Sequence, residues 1–539
     1  MCGITGFCNI EDNLLLQKMN KELYHRGPDD EGYYRSPKIS LAMRRLAIVD
    51  IKNGQQPYFS ENRKVIAIFN GEIYNYKNLR KELDKDNYKF SSLHSDGEII
   101  PNLYLKYGEE FVKYINGMFS IALYDKNKDK LFLFRDRIGK KPLYYTIIKK
   151  QLYFASEIKA LLKINHEFSI DKTSLVNYLQ LKNTSAPNTI YEEVKQLLPG
   201  CYLEYDLKSS QYNIKSYWKI DFQNKLKLNE KKIANNIINI LEDAVKLRTQ
   251  CDVEYGSYLS GGVDSSLITS IISQKINKNI KTFSLGYEDS FKNKEDDLYF
   301  AREVSKRLGT KHYEMILTSK EVFSELENIL KSFDEPFSGT ISTYFLSKLI
   351  SKHVKVALSG DGADELFGSY LTHRLSNPIE YYIRNIKNKH FSKLTKHDIS
   401  NIKPFNSIEQ YKFLEKMADS SVLKFRDKLN VFTTDDLNLL FNDKKPYSSY
   451  SKFEDKLTSR KMLDCCLEID QIELLPNQIL PFVDRLSMAH SVEVRVPFLD
   501  SRLVEYAASI PSSLKIRKGV NKYILKQASS HYLNDKIVN

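Results

Sequence analysis

Two stretches in the second half of the chain restrict its fold more than any other feature. VEYGSYL runs into SGGVDSS and the apolar LITSIISQKI; further on, VKVAL runs into SGDGADE and LFGSY, with the strand-like KTFSLGY between the two units. A short apolar run, a glycine-bearing loop and a helical pattern, repeated in that order, predict a parallel sheet with ligands at the C-terminal ends of its strands. In SGGVDSS, Gly261 and Gly262 let the backbone approach a ligand while Ser260, Ser265 and Ser266 offer hydroxyls and the next helix offers its free N–H groups. The lysine of the kinase-type phosphate loop is missing and an acid, Asp264, sits inside, which suggests a bridging Mg²⁺. SGDGADE adds Asp361, Asp364 and Glu365. Either loop alone reads equally well as a turn; two on adjacent strand ends suggest a metal–phosphate site.

The first two hundred residues have another texture. VIAIF (65–69) leading into NGE, MFSIALYD (118–125), KLFLFRD and QLYFASE read as short strands separated by turns. The polar stretch 206–230, which holds the single tryptophan, Trp218, reads as a connection. Beyond it, KKIANNIINILEDAVKLRT sets Ile233, Ile237, Ile240, Leu241, Ala244 and Val245 on one helical face. The expected organisation is a β-rich domain over 2–213, a linker over 214–228 and an α/β domain over 229–539. A chain of 539 residues accommodates two large domains.

The net charge of +13 would suit a nucleic-acid binder, but the lysines are scattered without runs and read as a solvated surface, so no nucleic-acid partner is expected. Six cysteines (Cys2, Cys8, Cys201, Cys251, Cys465, Cys466) show neither C-x-x-C spacing nor a histidine cluster, which argues against a disulfide framework or a zinc site and for a reducing, cytoplasmic setting. All but Cys2 read as buried apolar fillers, and His25, His94, His312 and His490 as structural or surface groups. No stretch approaches the roughly 18 apolar residues of a membrane span. Cys2, in MCGITGF, has no reactivity by itself, because a thiol's reactivity is set by its surroundings.

SGGVDSS resembles the pyrophosphate-binding loop of ATP pyrophosphatases. Together with MCGITGF, HRGPDDEG, RRLAIVD, FNGEIYN, RDRIGKKPLYY, FASEIKAL, LSGDGADELFG and SVEVRVPFLD, in this order from Cys2 to about Lys526, the chain resembles the long bacterial type of glutamine-dependent asparagine synthetase over essentially its whole length. The resemblance implies an α/β and α+β architecture: an N-terminal-nucleophile αββα sandwich followed by a Rossmann-like ATP pyrophosphatase domain. It implies glutamine, aspartate and ATP as substrates, Mg²⁺ as cofactor, and a homodimer. Cys2 would attack the glutamine amide, with its own α-amine as base once Met1 is removed, since that amine ordinarily titrates at about 7.7–8.0. Asn70 and Gly71 match the oxyanion-stabilising pair; Arg45 matches the group that pairs with the glutamine carboxylate, Asp96 the one that takes its ammonium, and Glu72 a further substrate contact. Arg26 and Gly27 would support the loop. Leu259, Leu285, Ser359 and Gly360 match the ATP pocket, Asp264 and Asp364 the Mg²⁺ ligands, Asp361 a residue needed to form the β-aspartyl-adenylate, and Lys522 a lysine that stabilises departing pyrophosphate.

Three departures from the family pattern are visible. Gly97 stands where the family generally carries a side chain such as threonine, which is expected to loosen the backbone and weaken glutamine binding. DEPFSGTISTYF (334–345) is about two residues shorter than the family's stretch and lacks its downstream aspartate. LNDKIVN ends before the family's R-x-K-x-G-F segment, so a truncated C-terminus is expected. Two other readings stay open: amidation of a sugar or cell-wall carboxylate, and a non-catalytic remnant that binds nucleotide.

Overall fold

The computed structural model describes residues 1–288, 295–442 and 444–538. Its first part contains strands β1 (Cys2–Cys8), β2 (Asp30–Arg35), β3 (Ile39–Arg45), β4 (Tyr58–Phe59), β5 (Val65–Ile73), β6 (Gly117–Asp125), β7 (Lys130–Arg135), β8 (Tyr144–Ile148), β9 (Gln151–Ala155), β10 (Val194–Gln196), β11 (Cys201–Asp206) and β12 (Tyr212–Ser216). They form two six-stranded antiparallel sheets, ordered β10-β8-β9-β1-β3-β2 and β12-β11-β7-β6-β5-β4. Alternation explains the stacking. Ile66 and Ile68 of β5, with Leu131 and Leu133 of β7, meet Ile4, Leu41 and Phe154 of the other sheet in a dry middle layer. Their neighbours Val65, Ala67, Phe69 and Phe132 face outward under Leu79, Leu83, Ile99 and Leu103 of the helices Tyr76–Lys85 and Ile99–Tyr107. On the opposite flank, Leu16 and Met19 of the helix Asn13–Lys21 cover Phe7 and Tyr153. Both faces of the inner strands β5 and β6 are thus buried, while the edge strand β12 is exposed, which is why VIAIF and SIALY read as continuous apolar runs. The architecture is an αββα sandwich.

The structure differs from the sequence reading at NGE. These residues are not a turn: β5 continues through Asn70, Gly71 and Glu72 to Ile73, paired with Ser120 through Gly117 of β6. Gly71 permits it, having φ of +152° and a position at which a Cβ would lie 1.9 Å from the Met118 carbonyl oxygen.

Residues 217–229 hold no regular element, and Trp218 Nε1 donates to Glu505 at 2.6 Å. The helix Glu230–Arg248 follows, capped by Asn229, whose side chain accepts from Lys232 N at 2.8 Å. Ile233, Ile237, Leu241, Ala244 and Val245 are buried, while Ile240 is half-buried at the margin of that face. The second sheet system is parallel: β13 (Tyr255–Tyr258), β14 (Lys281–Tyr287), β15 (Lys311–Leu317), β16 (Val356–Leu358) and β17 (Glu493–Arg495), in the order β15-β14-β13-β16-β17. The chain winds outward from β13 in both directions, so the loops after β13 and β16 open side by side at the switch point. Between β16 and β17 lies a mostly helical segment with its own core of Leu375, Ile379, Tyr382, Phe425 and Met462. Among the described residues no helix is long and apolar enough to cross a membrane.

The two parts share buried polar contacts. Arg248 pairs with Asp500 at 2.9 Å, with both side chains fully buried, and Asp500 also accepts from Asn116 of the sandwich at 3.0 Å. Lys140 donates to the Leu499 carbonyl at 3.0 Å. Cys251 is half-buried; the other cysteines are buried.

Candidate active sites

Cys2 begins β1 opposite Arg45 of β3, at the sandwich end that faces the second domain. Its backbone N–H donates to Asn70 Oδ1 at 3.0 Å, which joins the two sheets. Asn70 is fully buried and its Nδ2 has no partner among the described residues, so an uncommitted donor lies beside the thiol. Gln56 Nε2 lies 3.9 Å from Cys2 Sγ while donating to the Phe69 carbonyl at 3.0 Å. Met1 is buried; its ammonium sits 2.8 Å from Glu493 of β17, and its carbonyl accepts from Leu46 N. Burial raises the Cys2 thiol pKa, and the Met1 ammonium and Arg45 pull it back.

The guanidinium of Arg45 is held by the carbonyls of Asp50, Ile51 and Val49 at 2.7, 3.0 and 3.2 Å, without a carboxylate partner among the described residues. Glu72 pairs with Arg495 of β17 at 3.0 Å, and burial drives its carboxyl well above the usual range. Asp96 accepts from Ile73 N at 2.9 Å; burial raises it to about 6. Gly97 is not a loosened position. A Cβ there would lie 2.4 Å from the Tyr58 ring and 2.9 Å from that of Phe69, so the glycine is the counterpart of a buried tyrosine whose hydroxyl meets Gly54 O and Ser95.

At the open end of the parallel sheet is a cavity of about 390 Å³. Leu259, Ser260, Asp264, Ser265, Leu285, Ser359, Gly360, Asp361 and Asp364 line it, as does Glu365. Gly261, Gly262 and Ser266 are not on its wall. Ser266 is fully buried within the helix Val263–Lys275, while Gly261, at φ +83°, makes the turn against Phe300 and Ala301. The two loops nearly touch: a Cβ on Gly360 would lie 2.8 Å from Ser265 N. Ser260 and Ser265 share a hydroxyl hydrogen bond of 2.9 Å, and Ser359 donates to Asp361 at 2.7 Å.

Lys522 enters from a distant segment and bridges Asp264 at 2.5 Å and Asp364 at 2.7 Å. Burial opposes its charge, but the two carboxylates overcome that and raise its pKa. Burial lifts Asp264 to about 6 against the pull of Lys522, and lifts Glu365 to about 8. Asp264 Oδ1 is buried without a hydrogen-bond partner among the described residues, and with Asp364 it makes a pair of oxygen donors of the kind that would suit a divalent cation. No group of three or more metal-ligating side chains occurs among the described residues.

Residues 1–218 match the glutamine amidotransferase domain and residues 236–539 the asparagine synthase family. Over its whole length the chain is 33% identical to asparagine synthetase (glutamine-hydrolyzing) 1 of Bacillus subtilis and spans 86% of that protein. The chain belongs to the asparagine synthetase family. A second Bacillus subtilis member, asparagine synthetase (glutamine-hydrolyzing) 2, is 32% identical over 99% of the chain and 70% of its own length, and a protein of Penicillium rubens named amidase chyE is 26% identical over all of the chain and 88% of its own. As a member of this family the protein is an ATP-dependent amidotransferase with glutamine as nitrogen donor.

Sequence reasoning left several neighbours of both sites without a role. Glu493 and Arg495 were visible only as part of SVEVRVPFLD, and Gln56 carried no signal. Tyr258, Tyr370 and Ser342 complete the cavity from stretches the sequence marked (VEYGSYL, LFGSY and DEPFSGTISTYF) without giving these residues a role, and Ile479 comes from a segment with no motif, whereas Glu365 stood in the second loop and gave a signal as its third carboxylate.

Proposed function

We propose that the protein converts aspartate to asparagine with ammonia from glutamine, through a β-aspartyl-adenylate, releasing glutamate, AMP and pyrophosphate. The observation that carries this reading is the convergence of Lys522, Asp264 and Asp364 on a cavity that also presents Ser359 and Asp361, in a chain whose other domain sets Cys2 beside Asn70.

In the first half-reaction the Cys2 sulfur attacks the glutamine amide carbon and the thiol proton passes to the Cys2 α-amine, which becomes free when Met1 is removed. Asn70 Nδ2 and the Gly71 N–H donate to the oxyanion. The Cys2 α-ammonium returns this proton to the amide nitrogen as the intermediate collapses, so that ammonia leaves and a thioester remains, which water cleaves to glutamate, regenerating the thiol. Arg45 pairs with the substrate's α-carboxylate, Asp96 takes its ammonium, and Glu72 adds a contact. In the second, a β-carboxylate oxygen of aspartate attacks the α-phosphorus of ATP and pyrophosphate leaves. Lys522 neutralises the departing charge, the loop 260–266 holds the phosphates, and Leu259, Leu285, Ser359 and Gly360 hold the nucleoside. Asp361 supports adenylate formation. Ammonia then attacks the acyl carbon and AMP departs. Asp264 and Asp364 would hold Mg²⁺, which supplies charge neutralisation on the phosphate oxygens.

The test is steady-state turnover of the purified protein with glutamine, aspartate and ATP, following pyrophosphate and asparagine together. Equimolar formation of both supports the reading. Glutamate release without asparagine, in the presence of ATP and aspartate, refutes it and moves the acceptor to another carboxylate.

A further inference from the structure

A buried chain of alternating charges runs from the cysteine site into the synthetase half, ending at Asp334, and neither half-reaction uses it. Arg26, in the turn Tyr24–Arg26, is fully buried; its Nε donates to the Cys2 carbonyl at 3.1 Å, and its Nη1 meets Glu157 and Asp484, each at 2.8 Å. Glu157 also receives Arg485 at 2.7 Å. Arg485 in turn reaches Asp334 at 3.2 Å, and Asp334 accepts from Ile158 N at 2.8 Å. Cys2, Arg26 and Glu157 belong to the sandwich, whereas Asp334, Asp484 and Arg485 belong to the synthetase half.

The charges are mutually sustained. Burial works to protonate Glu157, yet Arg485, then His25 and Lys159, hold its carboxyl well below the usual range. Asp334 opens the shortened segment DEPFSGTIS, whose end, Ser342, is on the cavity wall. The sandwich grips this segment elsewhere: Glu335 accepts from the Thr184 hydroxyl at 2.8 Å and from Ile190 N at 2.9 Å, and Tyr178 donates to the Phe337 carbonyl at 3.2 Å.

We infer that Arg485 is a positioning residue for the cysteine site, supplied across the domain boundary: through Glu157 it fixes Arg26, and through Arg26 the carbonyl of the nucleophile. Without Arg485, Glu157 is a buried carboxylate that has lost the cation that most holds it ionised, so it must take up a proton or shift against Arg26, and a nucleophile misplaced by about 1 Å loses about 10²-fold in rate. A cluster that merely glued the domains together would lower both activities or neither.

The inference rests on Cys2 being the nucleophile, and the experiment separates the two. The full chain is assayed with glutamine, and separately with ammonium as nitrogen source, as Arg485→Gln, Arg485→Lys, Glu157→Gln and the Arg485→Gln/Glu157→Gln double variant. The expected result for Arg485→Gln is a loss of about 10- to 100-fold in kcat for glutamine hydrolysis, with KM for glutamine and ammonium-supported pyrophosphate release little changed. Arg485→Lys recovers part of the loss, and the double variant is no worse than the poorer single one, as expected for links of one chain. Parallel loss with both nitrogen sources, or a double variant showing the product of the single losses, overturns it. If Arg485→Gln does not fold, Arg485→Lys decides: an unchanged glutamine kcat overturns the inference. Glutamine hydrolysis that survives Cys2→Ala refutes the nucleophile assignment instead.

Discussion

Replacing Asn70 by aspartate separates two jobs that one side chain performs. The aspartate keeps the shape and the acceptor that meets Cys2 N at 3.0 Å, but it converts the buried, unpaired Nδ2 into an oxygen. Loss of one preorganised oxyanion donor costs about 2.7–4 kcal/mol of transition-state stabilisation, or roughly 10²–10³ in kcat. The added negative charge beside a developing oxyanion places Asn70→Asp at or beyond the upper end of that range. Asn70→Ala loses the donor and also takes away the acceptor that meets the buried Cys2 nitrogen, about 1–3 kcal/mol further in stability, so its melting temperature falls below that of a fold-matched control. The assay is glutamate release at saturating glutamine beside ammonium-supported pyrophosphate release. The glutamine-dependent rate collapses in both variants, KM for glutamine shifts little, and the ammonium-dependent rate persists because Asn70 lies in the sandwich and does not line the nucleotide cavity. An Asn70→Asp enzyme within threefold of the unaltered glutamine rate would refute the reasoning.

Three further outcomes follow from the geometry. Lys522→Ala removes the only cation joining Asp264 and Asp364 among the described residues; synthesis falls by about 10²–10³ with either nitrogen source, whereas glutamate release continues, and equal loss of both activities would contradict the assignment. Asp96, raised to about 6 by burial, must be ionised to take the glutamine ammonium, so kcat/KM for glutamine drops as pH falls through about 6; Asp96→Asn flattens that limb at a low value, and a limb that survives in the variant sinks the claim. Gly97→Thr drives a side chain into Tyr58 and costs about 1–3 kcal/mol of stability by overpacking; thermal melts of Gly97→Thr with and without Tyr58→Leu should show rescue by the shorter partner, and absence of rescue assigns the cost elsewhere.

What the sequence determined by itself was local. The runs VIAIF and SIALY declared strands because burial on both faces removes polar residues from them, and the loops SGGVDSS and SGDGADE declared their strand ends because close backbone approach requires glycine there. The ordered motifs fixed the family and pointed to residues that the fold brings together at the two sites, such as Asn70 beside Cys2 and Lys522 against Asp264, whereas Glu365, which also lines the cavity, was read only as charge. Beyond SGDGADELFG, the helical segment that leads to β17 left no legible fold, since its short amphipathic helices bury against one another around Leu375, Ile379 and Phe425.

Only the tertiary structure decided which distant groups meet. Asn70 and Cys2 belong to different sheets, Lys522 returns to Asp264 across 258 positions, and Arg495 closes on Glu72 from the other domain. Periodicity reports whether a residue is buried, never against what. Gly97 shows the consequence: the sequence reads as a missing side chain, whereas the packed structure shows a space already filled by Tyr58. The relay from Cys2 through Arg26, Glu157 and Arg485 to Asp334 likewise exists only because two domains exclude water from charges that would each be well solvated in the unfolded chain.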